Sequence, residues 1–191
     1  MKTFLSSRKA FTLIEIAMVL IVMGIIVGSS TKIFISLSKN AKTQETKEHM
    51  KLLTLDIEGF STTFNRLPTQ KEFESFHMQI KDAWGKPIIY VPSKMLLSSL
   101  CNHKRTTLEH RQNDKSIKNL AFMLISSGAN RNLQTEVIQG DRSIVKSAKF
   151  SEKVDFNTLK TNRIEAFDDL YLSRSLWSLQ AQSRCSQRNV Q

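Results

Sequence analysis

A single acid, Glu15, lies inside a segment that is otherwise uncharged. From Phe11 to Thr31 it is the only ionisable side chain in twenty-one residues. A carboxylate held in hydrocarbon is costly unless it is paired with a cation or becomes neutral. An acid in such a run is therefore a candidate functional residue, and the chemistry we expect of Glu15 is pairing with a positive group.

The two cysteines, Cys101 and Cys185, both follow this apolar run. Neither belongs to a CxxC pair, so a redox motif is not supported. In an oxidising compartment they could form a disulfide, which would stabilise the fold by about 4 kcal/mol because it closes a long loop. Cys101 could alternatively join His103 and His110 around a zinc ion, but no fourth ligand is evident.

The segment Ser98–Lys118, which we call the basic insert, is rich in cations. Phosphate contacts dominate non-specific affinity for nucleic acid, so the insert could contact DNA. It contains no aromatic side chain on which a base could stack, which argues against single-strand binding. We therefore expect a solvated loop here and no nucleic-acid partner. Its cationic and histidine residues are His103, Lys104, Arg105, His110, Arg111, Lys115 and Lys118.

Short motifs of the common enzyme classes are missing from the sequence. It has no phosphate-binding G-x-x-x-x-G-K-[ST], no G-x-S-x-G and no HExxH. The four histidines, His49, His77, His103 and His110, are scattered along the chain. We therefore expect a protein that is not an enzyme.

The composition is that of a folded protein with a basic balance. Of the 191 residues, 40% are hydrophobic and 24% are charged, which excludes disorder by composition. The formal net charge is +11, and Lys2, Arg8 and Lys9 precede the apolar run with no acid among them. A bilayer core is spanned by about 20 apolar helical residues. The run therefore predicts a membrane helix whose N-terminus stays in the cytoplasm.

Beyond the apolar run, the sequence predicts that the same helix continues with one apolar face. No proline occurs before Pro68, so the helix is expected to extend from Phe11 to about Asn65. The apolar stripe, at spacings of 3, 4, 3 and 4, is Met50, Leu53, Ile57, Phe60 and Phe64. The predicted polar face carries Lys42, Glu45, Lys47, Glu48, Lys51 and Glu58.

The remainder predicts a small antiparallel β-sheet that covers this stripe, giving an α+β fold. A short helix is expected over Gln70–Ile80. Strands are expected at Ile88–Val91 and Leu120–Ile125, with a third at Asp168–Leu172. Near the C-terminus, Leu176, Trp177 and Leu179 are expected to pack on this head.

Three interpretations of the first segment compete. A cleaved signal peptide would need small residues at its cut site, but Gly28 and Ser29 offer no A-x-A pattern, and Glu15 is out of place in its apolar core. An uncleaved membrane anchor is the second. The third starts from Lys9-Ala10-Phe11-Thr12-Leu13-Ile14-Glu15, which resembles the class III leader of type IV pilins and pseudopilins.

The pilin resemblance assigns roles to three residues. It implies cleavage between Ala10 and Phe11, where the family usually has glycine before the cut, and N-methylation of Phe11. Glu15 then becomes the fifth residue of the mature chain, the position of the acid typical of the family. It would pair with the Phe11 amine of an adjacent subunit during assembly. The implied division is a leader at 1–10, a transmembrane and assembly helix at 11–36, an amphipathic stem at 37–66 and a periplasmic head at 67–191.

Segments of the head are similar to the major pseudopilin of type II secretion systems. They are Arg66-Leu67-Pro68-Thr69, then Asp82-x-Trp84-Gly85-x-Pro87, then Ser127-Gly128-Ala129-Asn130. Such proteins often bind calcium after the Ser-x-Gly-Ala motif, but this chain continues Arg131-Asn132-Leu133. Asp168 and Asp169 are a thin substitute, because calcium takes several oxygen ligands. We expect no cofactor, with calcium as the open alternative.

The resemblance implies a pseudopilin that polymerises through its N-terminal helix into a periplasmic filament driving type II protein secretion. Its partners would be copies of itself, other pseudopilins, the prepilin peptidase, the assembly platform and the inner membrane. The chain would cross the inner membrane once, with a cytoplasmic N-terminus and a periplasmic head. A type IV pilus or competence pilin that contacts surfaces or DNA is the alternative, and a plain membrane-anchored domain is a third possibility.

Overall fold

The structure is a computed structural model that describes residues 12–76, 81–112, 115–139, 143–148, 153–155 and 164–185. Side chains at 29–33, 76, 153–155 and 164–165 are not described. The helices are α1 Leu13–Phe64, α2 Gln70–Phe76 and α3 Leu176–Gln182, with a 3₁₀ turn at Lys94–Leu97. The strands are β1 Ile89–Pro92, β2 Leu108–Gln112, β3 Lys115–Ser126, β4 Glu136–Ile138, β5 Ser143–Ser147, β6 Lys153–Asp155, β7 Ile164–Ala166 and β8 Leu170–Ser175.

Helix α1 is the predicted continuous helix, 52 residues long. At about 1.5 Å per residue it extends roughly 80 Å. It ends where Asn65 adopts a positive φ of 53°, the left-handed conformation that commonly follows the last residue of a helix. The chain forms two compact units, Met1–Ala41 and Lys42–Gln191, and α1 contributes residues to both.

In the first unit, the described side chains of α1 are exposed. Every large apolar residue from Leu13 to Val27 is at least 49% exposed, with Ile16 the least exposed of them. Among the residues that the structure describes, no helix is both long enough and apolar enough to cross a membrane.

In the second unit, α1 packs on the sheet through the first part of the predicted stripe. Met50, Leu53 and Ile57 are at most 1% exposed and share a core with Phe122 and Leu124 of β3. The prediction is wrong at the end of the stripe, where Phe64 is 58% exposed. Its ring packs instead against Phe60, with centroids 4.5 Å apart.

Glu58 was predicted on the polar face of α1, and this prediction is also wrong. Its side chain is 4% exposed, and Oε1 lies 2.6 Å from Nε of Arg174 on β8. A buried carboxylate requires such a partner because its desolvation is otherwise uncompensated. The helical pattern could not reveal the ion pair, since Arg174 lies more than a hundred residues further along the chain.

The sheet contains the predicted strands in a mixed arrangement. The order is β1-β3-β2-β5-β4, and β8 also pairs with β3. β1 and β3 pair antiparallel, from Ile89 opposite Ile125 to Pro92 opposite Phe122. One pair, β2 with β5, is parallel, so the sheet is mostly and not wholly antiparallel. β6 and β7 form a separate two-stranded sheet. The fold class is α+β, as predicted.

The basic insert is only partly the loop that was predicted. Residues 98–107 connect the 3₁₀ turn to β2, but β2 and the start of β3 form a hairpin from the rest. Glu109 and His110 of β2 are buried although both are polar. The sequence pattern of this strand therefore resembles that of a solvated loop. Arg111 and Ser116 bind the Glu109 carboxylate, and Ser147 Oγ lies 2.8 Å from His110 Nε2.

Helix α2 begins with a reciprocal cap. The Thr69 N–H donates to Glu72 Oε2 at 2.8 Å, and the Glu72 N–H donates back to Thr69 Oγ1 at 3.3 Å. Arg66 also binds Glu72 with two hydrogen bonds of 2.8 and 2.6 Å. The hydrogen bonds from Arg66 and Thr69 lower the pKa of Glu72 to about 2, and the bond from Arg66 has the largest effect. The predicted end of α2, at 77–80, lies outside the described residues.

Neighbouring leucines of α1 provide a matched test of this packing. Leu53 is fully buried whereas Leu52 is 59% exposed. Leu53→Ala is expected to lower the free energy of unfolding by about 2–5 kcal/mol, because it leaves a cavity against the sheet. Leu52→Ala is expected to change it by less than about 1 kcal/mol. Urea unfolding of both variants measures the difference, and equal effects would contradict the packing of α1.

Candidate functional site

Glu15 lies in the first turn of α1. Its backbone N–H donates to the carbonyl oxygen of Thr12 at 3.1 Å and lies 3.4 Å from Thr12 Oγ1. Thr12 therefore caps the helix, and Thr12-x-x-Glu15 has the spacing of a capping box. The Glu15 side chain is exposed and is surrounded along the helix by exposed apolar residues. The predicted processing residues Ala10 and Phe11 lie outside the described residues.

The exposed apolar surface of this part of α1 is itself a candidate interface. Apolar side chains project on all sides of the helix between Leu13 and Val27. A continuous apolar surface of this extent marks contact with a membrane or with another protein. Glu15 is the only acid in it, so a neighbouring helix that covers this surface must also supply a group for the carboxylate.

Cys101 and Cys185 are joined by a disulfide across a sequence separation of 84 residues. It fixes the C-terminal end of the described chain to the loop that follows the 3₁₀ turn. Gln180 of α3 strengthens the same connection, because its Nε2 donates to the carbonyl oxygens of Leu100 and His103 at 2.9 and 2.7 Å. The disulfide just after α3 and the hydrogen bonds of Gln180 therefore both attach α3 to this loop.

The disulfide excludes the zinc site that was considered for Cys101, His103 and His110, because a bridged sulfur is not a thiolate ligand. His110 is buried against Ser147 and Tyr171, and burial lowers its pKa. Within the part of the chain that the structure describes, no cluster of three or more His, Cys, Asp or Glu side chains could hold a metal ion.

The motif Ser127–Asn130 directly after β3 lies next to Asp168 and Asp169, which come directly before β8. The Asn130 N–H donates to Asp168 Oδ2 at 3.0 Å, and the Gln134 N–H donates to Asp169 Oδ2 at 2.7 Å. Gly128 has a φ of 65°, and a Cβ there would lie 2.2 Å from the carbonyl oxygen of Asp168. Only glycine permits this approach, which explains its place in the motif.

Two carboxylates are few for a calcium site, and one oxygen of each already accepts a backbone N–H. Calcium takes about six to eight oxygen ligands, whereas the loop from Gly128 to Gln134 directs backbone N–H groups at the two carboxylates. Burial raises the pKa of Asp169 to about 6, although hydrogen bonds from Thr135 and Gln134 favour the ionised form. The pair therefore serves to hold this loop, and a proton can neutralise Asp169.

Helix α3 carries a surface feature that the sequence analysis missed. Trp177 was predicted to pack on the head but is 69% exposed, whereas Leu176 and Leu179 are buried. The i, i+3 spacing of the two leucines could have shown this, because it turns Trp177 away from the core. Trp177 lines one hollow of about 410 Å³ with Lys104, Arg105 and Lys118, among others. It lines a second of about 500 Å³ with His103 and Lys104.

Comparisons with known protein families, with curated proteins and with solved structures return no match for this chain. The architecture itself is pilin-like: a long N-terminal helix leads into a mixed sheet, and a disulfide closes the C-terminal end. This likeness is one of architecture and does not by itself assign a function.

The buried Asp169 predicts a pH dependence of stability. Its folded pKa of about 6 lies above its ordinary value of 3.8, so the folded head binds this proton more tightly than the unfolded chain. The stabilisation is fully present below pH 3.8 and is lost as the pH rises through 6. When the pH is lowered from 7.5 to 5, the free energy of unfolding of the wild-type chain should rise by about 1 kcal/mol relative to that of Asp169→Asn. Urea unfolding at both pH values measures this, and parallel pH profiles would contradict it.

The same geometry predicts indifference to calcium. Adding calcium chloride or EDTA to the full-length chain should leave its thermal midpoint unchanged, because two amide-bonded carboxylates leave too few ligands. A midpoint that rises with calcium concentration in the wild type but not in Asp169→Asn would show that the pair binds the ion.

Proposed function

We propose that this chain is a pseudopilin-like subunit that polymerises through the N-terminal part of α1 into a filament driving type II protein secretion. The observation that carries the proposal is the exposed apolar surface from Leu13 to Val27 with Glu15 as its only acid. Such a surface is stable only when lipid or other helices cover it. In a subunit that is held first in a membrane and then in a filament, lipid would cover this surface first and neighbouring helices would cover it afterwards.

The proposed assembly step is the pairing of Glu15 with a new amine. Cleavage between Ala10 and Phe11 would create a positive N-terminus close to the start of α1. In the apolar interior of a filament, a carboxylate and an ammonium group from adjacent subunits would attract each other strongly and would fix the axial register. Thr12 supports the start of the helix beside this pair through its cap on Glu15.

Membrane anchoring is proposed from the sequence run Phe11–Thr31, which includes Phe11 and the side chains at 29–31 that the structure does not describe. Lys2, Arg8 and Lys9 would retain the N-terminus in the cytoplasm. The disulfide supports a head in an oxidising space outside the cytoplasm, since disulfides are rare in reducing compartments. A single pass through the inner membrane satisfies both conditions.

The likeness to the major pseudopilin is supported by contacts between its motifs. Asp82 of the Asp-x-Trp-Gly motif accepts hydrogen bonds from Trp84 N at 3.0 Å and Lys86 N at 2.8 Å. Its other oxygen accepts from Ser126 Oγ at 2.7 Å, directly before the Ser-Gly-Ala-Asn motif. That motif in turn contacts Asp168. Two of the three head segments that carry the resemblance are thus connected in the head.

The decisive experiment separates the charge of Glu15 from its place in the helix cap. Glu15→Ala and Glu15→Gln are both expected to insert into the membrane normally and to abolish filament assembly. Glutamine retains the capping-box geometry but cannot pair with an amine as an anion. Filaments sheared from cells and the cross-linked ladder of subunits measure assembly, while membrane fractionation measures insertion.

Glu45→Ala is the matched control, because Glu45 is an exposed glutamate of α1 outside the apolar run. It should assemble like the wild type. Mass spectrometry of the mature chain should also show an N-methylated Phe11 at the N-terminus. Normal assembly of Glu15→Gln, or a mature chain that still begins at Met1, would refute the proposal.

A further inference from the structure

An exposed tryptophan lies at the centre of a cationic surface on the head. We define the Trp177 surface as Trp177 with Lys104, Arg105 and Lys118, which line one hollow together. The three cations are exposed, and the indole is 69% exposed. A large aromatic group left in water beside three positive charges indicates a ligand that is both flat and anionic.

The tertiary structure assembles this surface from separate parts of the chain. Lys104 and Arg105 come from the loop before β2, Lys118 comes from β3 and Trp177 comes from α3. The basic insert has no aromatic residue of its own, and that was the reason for rejecting single-strand binding. Helix α3 supplies the missing ring.

Among the described residues that line this hollow, the one acid, Glu109, does not cancel the positive charge of the Trp177 surface. Glu109 lines the same hollow but is only 4% exposed. Arg111 Nε donates to it at 2.8 Å, and the Ser116 hydroxyl also donates to it. The Glu109 carboxylate thus has partners of its own, with Lys118 also acting on it through its charge, while Lys104 and Arg105 are exposed to a ligand.

The helix that carries Trp177 is held in place before any ligand binds. The Cys101–Cys185 disulfide and the hydrogen bonds of Gln180 hold α3 against the loop that carries Lys104. Leu176 and Leu179 anchor its inner face in the core. Because α3 and the loop are already held together, binding a ligand between them requires no ordering of their backbones, which favours use as a stacking platform.

From this surface we infer that the head binds single-stranded nucleic acid, with a base stacked on Trp177 and backbone phosphates on Lys104, Arg105 and Lys118. Unpaired bases expose a flat face that an aromatic side chain can cover, whereas a duplex hides those faces. The hollow shared with the three cations is lined largely by polar residues, which does not suit insertion into lipid. This binding goes beyond the proposed role in filament assembly and does not depend on it.

Binding is measured with the full-length chain in nonionic detergent and a fluorescein-labelled oligonucleotide of fifteen deoxythymidines. Trp84→Phe serves as the parent, since Trp177 is then the only tryptophan. The oligonucleotide should quench Trp177 fluorescence and should bind more tightly than a fifteen-base-pair duplex. Trp177→Ala, measured by anisotropy of the label, should raise the Kd at least about fivefold, whereas Trp177→Phe should retain most of the affinity.

The charge contribution has its own matched control. Lys104→Gln with Lys118→Gln should reduce the slope of log K against log salt by about 1.4, the value for two phosphate contacts on a single strand. Lys51→Gln with Lys71→Gln removes two exposed cations outside the Trp177 surface and should leave the slope and the Kd nearly unchanged.

Three results would overturn the inference. One is equal binding of the single strand by Trp177→Ala and its parent. Another is tighter binding of the duplex, and the third is Trp177 quenching by brominated phosphatidylglycerol vesicles but not by the oligonucleotide. Loss of filament assembly in Trp177→Ala with unchanged oligonucleotide binding would assign the surface to a second copy of the chain instead. The Glu15 variants should bind the oligonucleotide normally, so the two proposals can fail separately.

Discussion

Helix α1 has to satisfy two different surroundings along one continuous backbone. Between Met50 and Ile57 one face is buried against the sheet, and the cost of ordering this part is offset inside the molecule. Between Leu13 and Val27 apolar side chains are exposed on every side, so that part must be covered from outside. No proline interrupts α1, so one continuous helix carries both a stretch buried within its own unit and a stretch whose apolar side chains are exposed.

The head depends on polar contacts that join distant parts of the chain. Asp82 connects a turn to the end of β3, Asp168 holds the loop after β3, and Arg174 neutralises the buried Glu58 of α1. The disulfide then fastens α3 to the loop after the 3₁₀ turn. These contacts fix the ends of strands and helices, while the apolar core supplies most of the stabilisation.

Where the sequence analysis failed, long-range contacts outweighed the local pattern. β2 lies in the basic insert, for which a solvated loop was predicted, but its buried Glu109 and His110 find Arg111, Ser116 and Ser147 as partners. Phe64 matched the helical stripe but lies beyond the region that the sheet covers. For His110 the missing information was the position of Ser147, 37 residues further along the chain.

The sequence by itself determined the long helix, the α+β class, the principal strands β1, β3 and β8, and the apolar run with its single acid. Periodicity, apolar clustering and proline positions are local properties, so they can be read without coordinates. Only the tertiary structure decided the parallel pairing of β2 with β5, the ion pair of Glu58 and the meeting of Trp177 with the basic insert. Those features depend on which distant segments become neighbours, and local sequence pattern does not determine that.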